Sequence, residues 1–212
     1  MNHLEELGKA IRAYDTEGAG SSAQAAMEDG VDPLEGLDVV AGVMKEIGDG
    51  FESKELWLFD LIGAADAAKA ALLVIEAKVL ETGSQPDHLG TVVLGTVFGD
   101  MHNIGKTMVG ALLTASGFRV VDLGTNVTSA EFIQAAKDNN ADIVALSALL
   151  TTTAVAQAKV IETLEEEGMR DHVKVMVGGG AITAEFAEMI GADGYRATAF
   201  EAVGLASELV GE

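Results

Sequence analysis

Gly99-Asp100-Met101-His102-Asn103-Ile104-Gly105-Lys106-Thr107 follows the apolar, β-branched run Thr91-Val92-Val93-Leu94-Gly95-Thr96-Val97 and opens onto a helical pattern, Met108-Val109-Gly110-Ala111-Leu112-Leu113. A strand, a glycine-punctuated loop and a helix start are where α/β proteins place ligands. Two chemistries compete for this loop. Gly105-Lys106-Thr107 looks like the end of a phosphate loop, whereas Asp100-x-His102-x-x-Gly105 offers an imidazole to a metal.

A phosphate loop needs four residues between its first glycine and Gly-Lys-Ser/Thr, because its backbone amides must wrap one phosphate chain. Five residues, Asp100 to Ile104, separate Gly99 from Gly105, and Asp100 stands where that glycine belongs. A carboxylate there repels the anion the loop should attract. The metal reading fits the spacing better. In an extended loop Asp100 and His102, two apart, share a side, and a ligating histidine commonly gives its second ring N–H to a carboxylate. Gly105 lets the next turn pass close to a bulky ligand. With no second His or Cys nearby, one protein ligand is too few for zinc and suffices only where a macrocycle completes the coordination. Asp-x-His taken alone favours a capping histidine without a metal.

Working outward, strand-like runs alternate with helical ones: Thr91–Val97, Phe118–Leu123, Asp142–Ser147, Val173–Gly178 and Asp193–Arg196, with helices starting near Ile104, Ser129, Thr153, Thr183 and Thr198. Five βα units predict a parallel sheet with right-handed crossovers and the flavodoxin-like order 2-1-3-4-5. Its ligand crevice lies beyond the strand carboxyl ends, where strands one and three adjoin. Three segments converge there: Asp100-Met101-His102, Ser147-Ala148-Leu149-Leu150-Thr151-Thr152-Thr153 and Gly178-Gly179-Gly180.

The part before about Gly83 contains no convincing strand. Leu4, Leu7 and Ile11 recur at helical spacing until Asp15-Thr16-Glu17-Gly18 interrupts them, and Ser21 to Glu28 reads as a short Ala-rich helix. Asp32-Pro33 reads as an N-cap with a first-turn proline, followed by the stripe Leu37, Val40, Val43, Met44, Ile47 and Phe51. A last helix from about Leu56 to Thr82 carries Trp57, Leu58, Leu61, Ile62, Leu72, Leu73, Ile75 and Leu80, with Ala64, Ala65, Ala67, Ala68, Ala70 and Ala71 between them. Small residues in that density let helices pack closely, which predicts a four-helix bundle. The expected organisation is a helical domain over residues 1–83, a linker over 84–88 around Pro86, and an α/β domain over 89–212.

Composition narrows the function. Apolar residues make up 49 % of the 212 and aromatics only 5 %, which suits helices and buried parallel strands. The net charge of −21 repels phosphate backbones and anionic lipid, so neither nucleic-acid nor membrane binding is expected. The absence of cysteine excludes disulfides, thiolate catalysis and Cys-ligated zinc or iron–sulfur sites. Met1-Asn2-His3-Leu4-Glu5-Glu6-Leu7 has acids where a signal peptide has a basic flank, so a cytoplasmic location is expected.

Asp100-Met101-His102-Asn103-Ile104-Gly105, Ser147-Ala148-Leu149 and Gly178-Gly179 resemble the three ordered motifs of cobalamin-binding domains, Asp-x-His-x-x-Gly, Ser-x-Leu and Gly-Gly. Gly48-Asp49-Gly50-Phe51-Glu52, followed by Glu55 to Ala65, resembles the helical cap that precedes them. The chain as a whole is similar to corrinoid proteins of methyltransferase systems and to the cobalamin module of methionine synthase. That resemblance implies a base-off, His-on corrinoid with His102 as lower cobalt ligand and Asp100 on its other ring nitrogen. It implies that Met101, Ile104 and Gly105 border the cofactor, that Ser147 and Leu149 hold and line a slot for the nucleotide tail, and that Gly178 and Gly179 leave room beside it. Thr151 and Thr153 become polar contacts near the lower face, and Trp57 a cover for the upper face. Phe59 departs from the proline common at that place in the cap. The implied work is methyl carriage on cobalt between a substrate-specific methyltransferase and a second, acceptor methyltransferase using tetrahydrofolate or a thiol, with a reductive activator as a further partner. A cobalamin-dependent regulator is the alternative, and neither methyl donor nor oligomeric state is legible.

Overall fold

The structure, a computed structural model, describes residues 2–82 and 88–211. The chain divides into two compact units, one formed by Met1–Asp87 with Thr114–Gly117, the other by His88–Leu113 with Phe118–Glu212. The expected linker around Pro86 and the Leu80 side chain lie outside the described residues.

The first unit holds helices α1 (His3–Arg12), α2 (Thr16–Glu28), α3 (Pro33–Glu52) and α4 (Leu58–Thr82). Helix α2 packs on α1 and α4, and α3 packs on α4 and α1, which closes a four-helix bundle. Close approach comes from small side chains: Ala19, Ala23 and Ala26 of α2 and Ala64, Ala67, Ala68 and Ala71 of α4 are all fully buried. Leu7, Ile11, Met44, Leu61 and Ile75 supply the larger volumes. Asp32 caps α3 by accepting from Leu34 N at 3.0 Å, with Pro33 in the first turn as expected.

Two expectations for this unit need correction. Helix α2 begins at Thr16, not Ser21, because the Asp15 carboxylate accepts from Gly18 N at 2.9 Å and satisfies a first-turn amide. The glycines at 18 and 20 therefore lie inside the helix, and the interruption is confined to Ala13–Asp15. Helix α4 begins at Leu58, after Trp57, whose backbone N–H donates to the Asp60 carboxylate at 2.7 Å. Trp57 is 78 % exposed and does not belong to the bundle core.

The second unit alternates β1 (Thr91–Thr96), α5 (Ile104–Ala115), β2 (Arg119–Asp122), α6 (Ser129–Asp138), β3 (Ile143–Ser147), α7 (Thr151–Glu166), β4 (Lys174–Gly178), α8 (Ala184–Met189), β5 (Gly194–Tyr195) and α9 (Ala199–Val210). All pairings are parallel and the order is β2-β1-β3-β4-β5, as the sequence predicts. Helix α7 starts two residues earlier than Thr153, because the extended turn comes at Leu150.

Both faces of the sheet are covered, which explains the near-continuous apolar runs. Val93, Val144, Leu146, Val175 and Val177 pack with Phe132, Ile161 and Leu164 from α6 and α7. Their alternate neighbours Val92, Leu94, Ile143, Ala145 and Met176 pack with Leu113 of α5 and Leu205 of α9. Gly95 makes the first face possible: a Cβ there would stand 2.6 Å from the Phe132 ring. Gly95→Ala is expected to destabilise the chain by about 1–3 kcal/mol through overpacking against that ring, measured as a lower urea midpoint at unchanged m-value.

Candidate functional site

At the carboxyl edge of the sheet β1 and β3 are neighbours, with Thr96 opposite Ser147, so the β1–α5 and β3–α7 loops leave side by side. The first turn of the β1–α5 loop needs Gly99, whose φ is +83°. Asn126, itself at φ +58°, pins that turn from the β2–α6 loop. Its side-chain oxygen accepts from Gly99 N at 2.8 Å, and its N–H donates to the Asp100 carbonyl at 3.0 Å. The buried Thr96 hydroxyl donates to the His102 carbonyl at 2.9 Å.

Asp100 is 1 % exposed, and its carboxylate accepts four hydrogen bonds. Oδ1 accepts from His102 N at 3.0 Å and His102 Nδ1 at 2.7 Å. Oδ2 accepts from Leu149 N at 2.8 Å and the Thr153 hydroxyl at 2.6 Å. Burial pushes the Asp100 pKa up, but the hydrogen bonds from Thr153, His102 and Leu149 outweigh it and hold the carboxyl well below the usual carboxylate range. The group also sits at the amino end of the 16-residue helix α7, where the peptide dipoles favour an anion.

An ionised carboxylate only accepts, so His102 Nδ1 carries a proton and donates it to Asp100, which leaves Nε2 as the ring nitrogen turned away from the carboxylate. The His102 side chain is 53 % exposed, and Nε2 has no hydrogen-bond partner among the described residues. Met101 on the same loop and Ile104 at the start of α5 are 70 % and 71 % exposed, and Leu149 and Leu150 are also open to solvent. The imidazole therefore presents a Lewis base from an apolar surface. No group of three or more potential metal ligands exists among the described residues, so His102 Nε2 stands as a single nitrogen donor.

Beside this loop lies a cavity of about 260 Å³, just below the range usual for small-molecule sites, roughly 300–1,000 Å³. Ser147, Gly105, Gly178 and Gly179 line it, together with apolar side chains from β1, α5, β4 and α9. A Cβ at Gly105 or Gly178 would meet nothing within 4 Å, so both glycines leave open space. Gly179 is glycine for a different reason from room beside a ligand: at φ +125°, its Cβ would lie 1.8 Å from the Ala148 carbonyl oxygen. Leu149 is not part of this wall; it packs against Gly180 and contributes its N–H to Asp100. Thr151 is exposed at the start of α7, whereas Thr153 is buried against Asp100. Trp57 stands in the other unit.

Lys106 is more than a first-turn residue. Its side chain is 2 % exposed and its Nζ is paired with the Asp122 carboxylate of β2, so it is not free to hold a phosphate. Sequence reasoning also misses Thr96, Asn126, Gln157 on α7 and Arg196 on the cavity wall. Asn126 had one local signal, the Gly124-Thr125-Asn126 turn composition; the others had none.

The donor set fits a corrinoid: one oriented imidazole, an apolar surface around it and a glycine-lined cavity alongside. Comparisons with known proteins agree. Two family profiles, each described as a B12 binding domain, match residues 90–204 and 3–76. A corrinoid protein of Desulfitobacterium hafniense is 39 % identical over 100 % of this chain and 99 % of its own length. Trimethylamine corrinoid protein 2 of Methanosarcina mazei is 43 % identical over 94 % of this chain and 92 % of its own. Among solved structures, the methanol:cobalamin methyltransferase complex of Methanosarcina barkeri aligns with a TM-score of 0.80 at 29 % identity, covering 98 % of this chain and 79 % of that chain. The monomethylamine corrinoid protein of the same organism gives 0.55 at 30 % identity over 98 % of each.

The Thr153 hydroxyl generates a measurable expectation. Thr153→Val should cost about 1.5–3 kcal/mol of apo-protein stability in urea at neutral pH, the range for a hydrogen bond to a charged group. In an Asp100→Ala background most of that cost should disappear, and a double-mutant cycle reads the difference. By its sequence, its fold and these relatives, the chain belongs to the B12-binding corrinoid proteins of methyltransferase systems.

Proposed function

We propose that this chain is a methyl carrier that holds its corrinoid base-off and His-on, with His102 Nε2 as the lower cobalt ligand. The observation that supports this most is the Asp100–His102 pair, in which a saturated, buried carboxylate fixes the ring with Nδ1 protonated and Nε2 open. When bound, the corrinoid supplies a cobalt centre able to take up and release a methyl group.

The chain's own residues do the binding and orientation. Asp100 holds the imidazole plane, and Thr153 and Leu149 N hold Asp100. Met101, Ile104 and the Leu149 side chain offer apolar support next to the macrocycle, and Thr151 a polar contact at its margin. Ser147, Gly105, Gly178 and Gly179 border the cavity, which takes the displaced nucleotide tail. Trp57, on the resemblance to helical caps, covers the opposite face of the cofactor, consistent with its 78 % exposure. Residues 1–83 then act as a cap and 89–212 as the cofactor domain.

A carrier of this kind works between two enzymes in the cytoplasm: a substrate-specific methyltransferase that loads it and a second methyltransferase that passes the group to tetrahydrofolate or a thiol. A reductive activator restores the cofactor after oxidation. The names of relatives, trimethylamine and dimethylamine corrinoid proteins, favour a methylated amine as the donor, and the methanol complex adds methanol. No described helix is long and apolar enough to cross a membrane.

Reconstitution with cobalamin tests the ligand assignment. In the cobalt(II) form the wild-type protein should show nitrogen superhyperfine structure in its electron paramagnetic resonance spectrum, which changes on ¹⁵N-histidine labelling. His102→Ala should lose that response and bind cobalamin at least about tenfold more weakly. An unchanged labelling response in His102→Ala would refute the assignment.

A further inference from the structure

Gln157 lies on α7, one turn beyond Thr153, and is fully buried. Its Nε2 donates to the Leu146 carbonyl at 3.0 Å and the Gly178 carbonyl at 3.1 Å, so both amide hydrogens go to neighbouring strands. Leu146 is the penultimate residue of β3 and Gly178 the last of β4, and Ser147–Leu149 and Gly178–Gly180 run from these strand ends into the site. Gly178 O already accepts from Ala148 N at 3.0 Å, and Gly179 packs directly on the Ala148 backbone. Gln157 therefore adds a side-chain tie at the one level where the two strand ends separate into loops.

The tie is not explained by general stability. Gln157 Oε1 is buried without a hydrogen-bond partner, a condition that costs about 1–3 kcal/mol, and the backbone carbonyl it shares with Ala148 is satisfied without it. An apolar side chain of the same volume would fill the space without the orphaned oxygen. What only a carboxamide provides is two donors at a fixed span, which sets the distance between the β3 and β4 ends. Leu146, Ser147, Gly178 and Gly179 all line the cavity beside His102.

We infer that Gln157 is a positioning residue that sets the width of this cavity, and so makes the protein prefer a complete cobalamin over a corrinoid without a nucleotide tail. The inference rests on the proposal that the cavity takes the tail. Lost hydrogen bonds at the strand ends let the cavity wall shift, which bears on the tail most directly, whereas the imidazole is also held from its own loop by Asp100 Oδ1, by Thr96 on the His102 carbonyl and by Asn126 on Gly99.

Absorption titration of the full-length apo-protein with aquocobalamin and with aquocobinamide, which lacks the tail, provides the test. Wild-type protein should prefer cobalamin by at least about tenfold. Gln157→Met should weaken cobalamin binding about tenfold and leave cobinamide binding within about twofold; Gln157→Glu, which when protonated keeps one donor, should fall between. Equal weakening of both ligands, no change in either, or loss of the helical circular dichroism signal in both variants would overturn the inference. If wild-type protein binds the two corrinoids equally, the tail-cavity reading itself fails, and that result is separable because no variant is needed to see it.

Discussion

Everything at the site depends on one desolvated carboxylate. Asp100 is ionised although almost fully buried, which is tolerable only while its four donors stay in place. Those donors come from its own loop, from the backbone after β3 and from the first turn of α7. The carboxylate thus converts a sheet topology into a local geometry. Because β1 and β3 are adjacent, segments separated by 49 and 53 residues meet at one oxygen atom. The imidazole is the free end of that network: its inner nitrogen completes the satisfaction of Asp100, and its outer nitrogen faces solvent from an apolar rim.

The same edge of the sheet depends on missing side chains. Gly99 supplies a left-handed turn, Gly179 lets two loop backbones touch, and Gly105 and Gly178 leave open space on a cavity wall. These are three physical demands met by one residue type, which is why the glycines look alike in sequence and differ in the structure. Gly179 shows the difference most clearly. Its motif position invites a ligand explanation, yet the atom that forbids a Cβ is the Ala148 carbonyl oxygen. Close packing of the β3–α7 and β4–α8 loops is itself what closes one side of the cavity.

Local patterns carried most of the fold into view. The β-branched runs and their spacing located all five strands to within two residues, and doubly wound topology followed from strict alternation. The Asp100–His102 pair was legible because a motif and a strand end coincided, whereas Thr153, inside α7, was reached only through the resemblance. Helix α2 was misplaced because Gly18 and Gly20 argue against a helix, while the Asp15 cap that rescues it needs a geometry that composition does not record. Trp57 could be read as bundle core or as an outward-facing side chain, and only the start of α4 after it decides for exposure. Thr96, Asn126 and Gln157 stayed hidden for a further reason. The partners of Asn126 and Gln157 depend on chain crossings, such as the 27-residue separation between Gly99 and Asn126, whereas Thr96 lies six residues from His102 but reaches its carbonyl only through the turn of the loop.

The two chemistries that the central loop first allowed are separated by the fate of two charges. Lys106 is buried and paired with Asp122, whose Oδ1 also accepts from Gly124 N, so the cation ties α5 to β2. Asp100 keeps its negative charge at the amino end of α7, the position where a phosphate-binding protein would leave helix amides open for its ligand. With the cation and the α7 terminus both already used internally, the loop has a lone pair to offer in place of a positive charge. An imidazole lone pair on an apolar surface suits a metal centre better than an anion. The Gly-Lys-Thr tripeptide and the Asp-x-His motif overlap at Gly105 in sequence, but the structure ties the lysine to Asp122 and leaves the outer nitrogen of the histidine facing solvent.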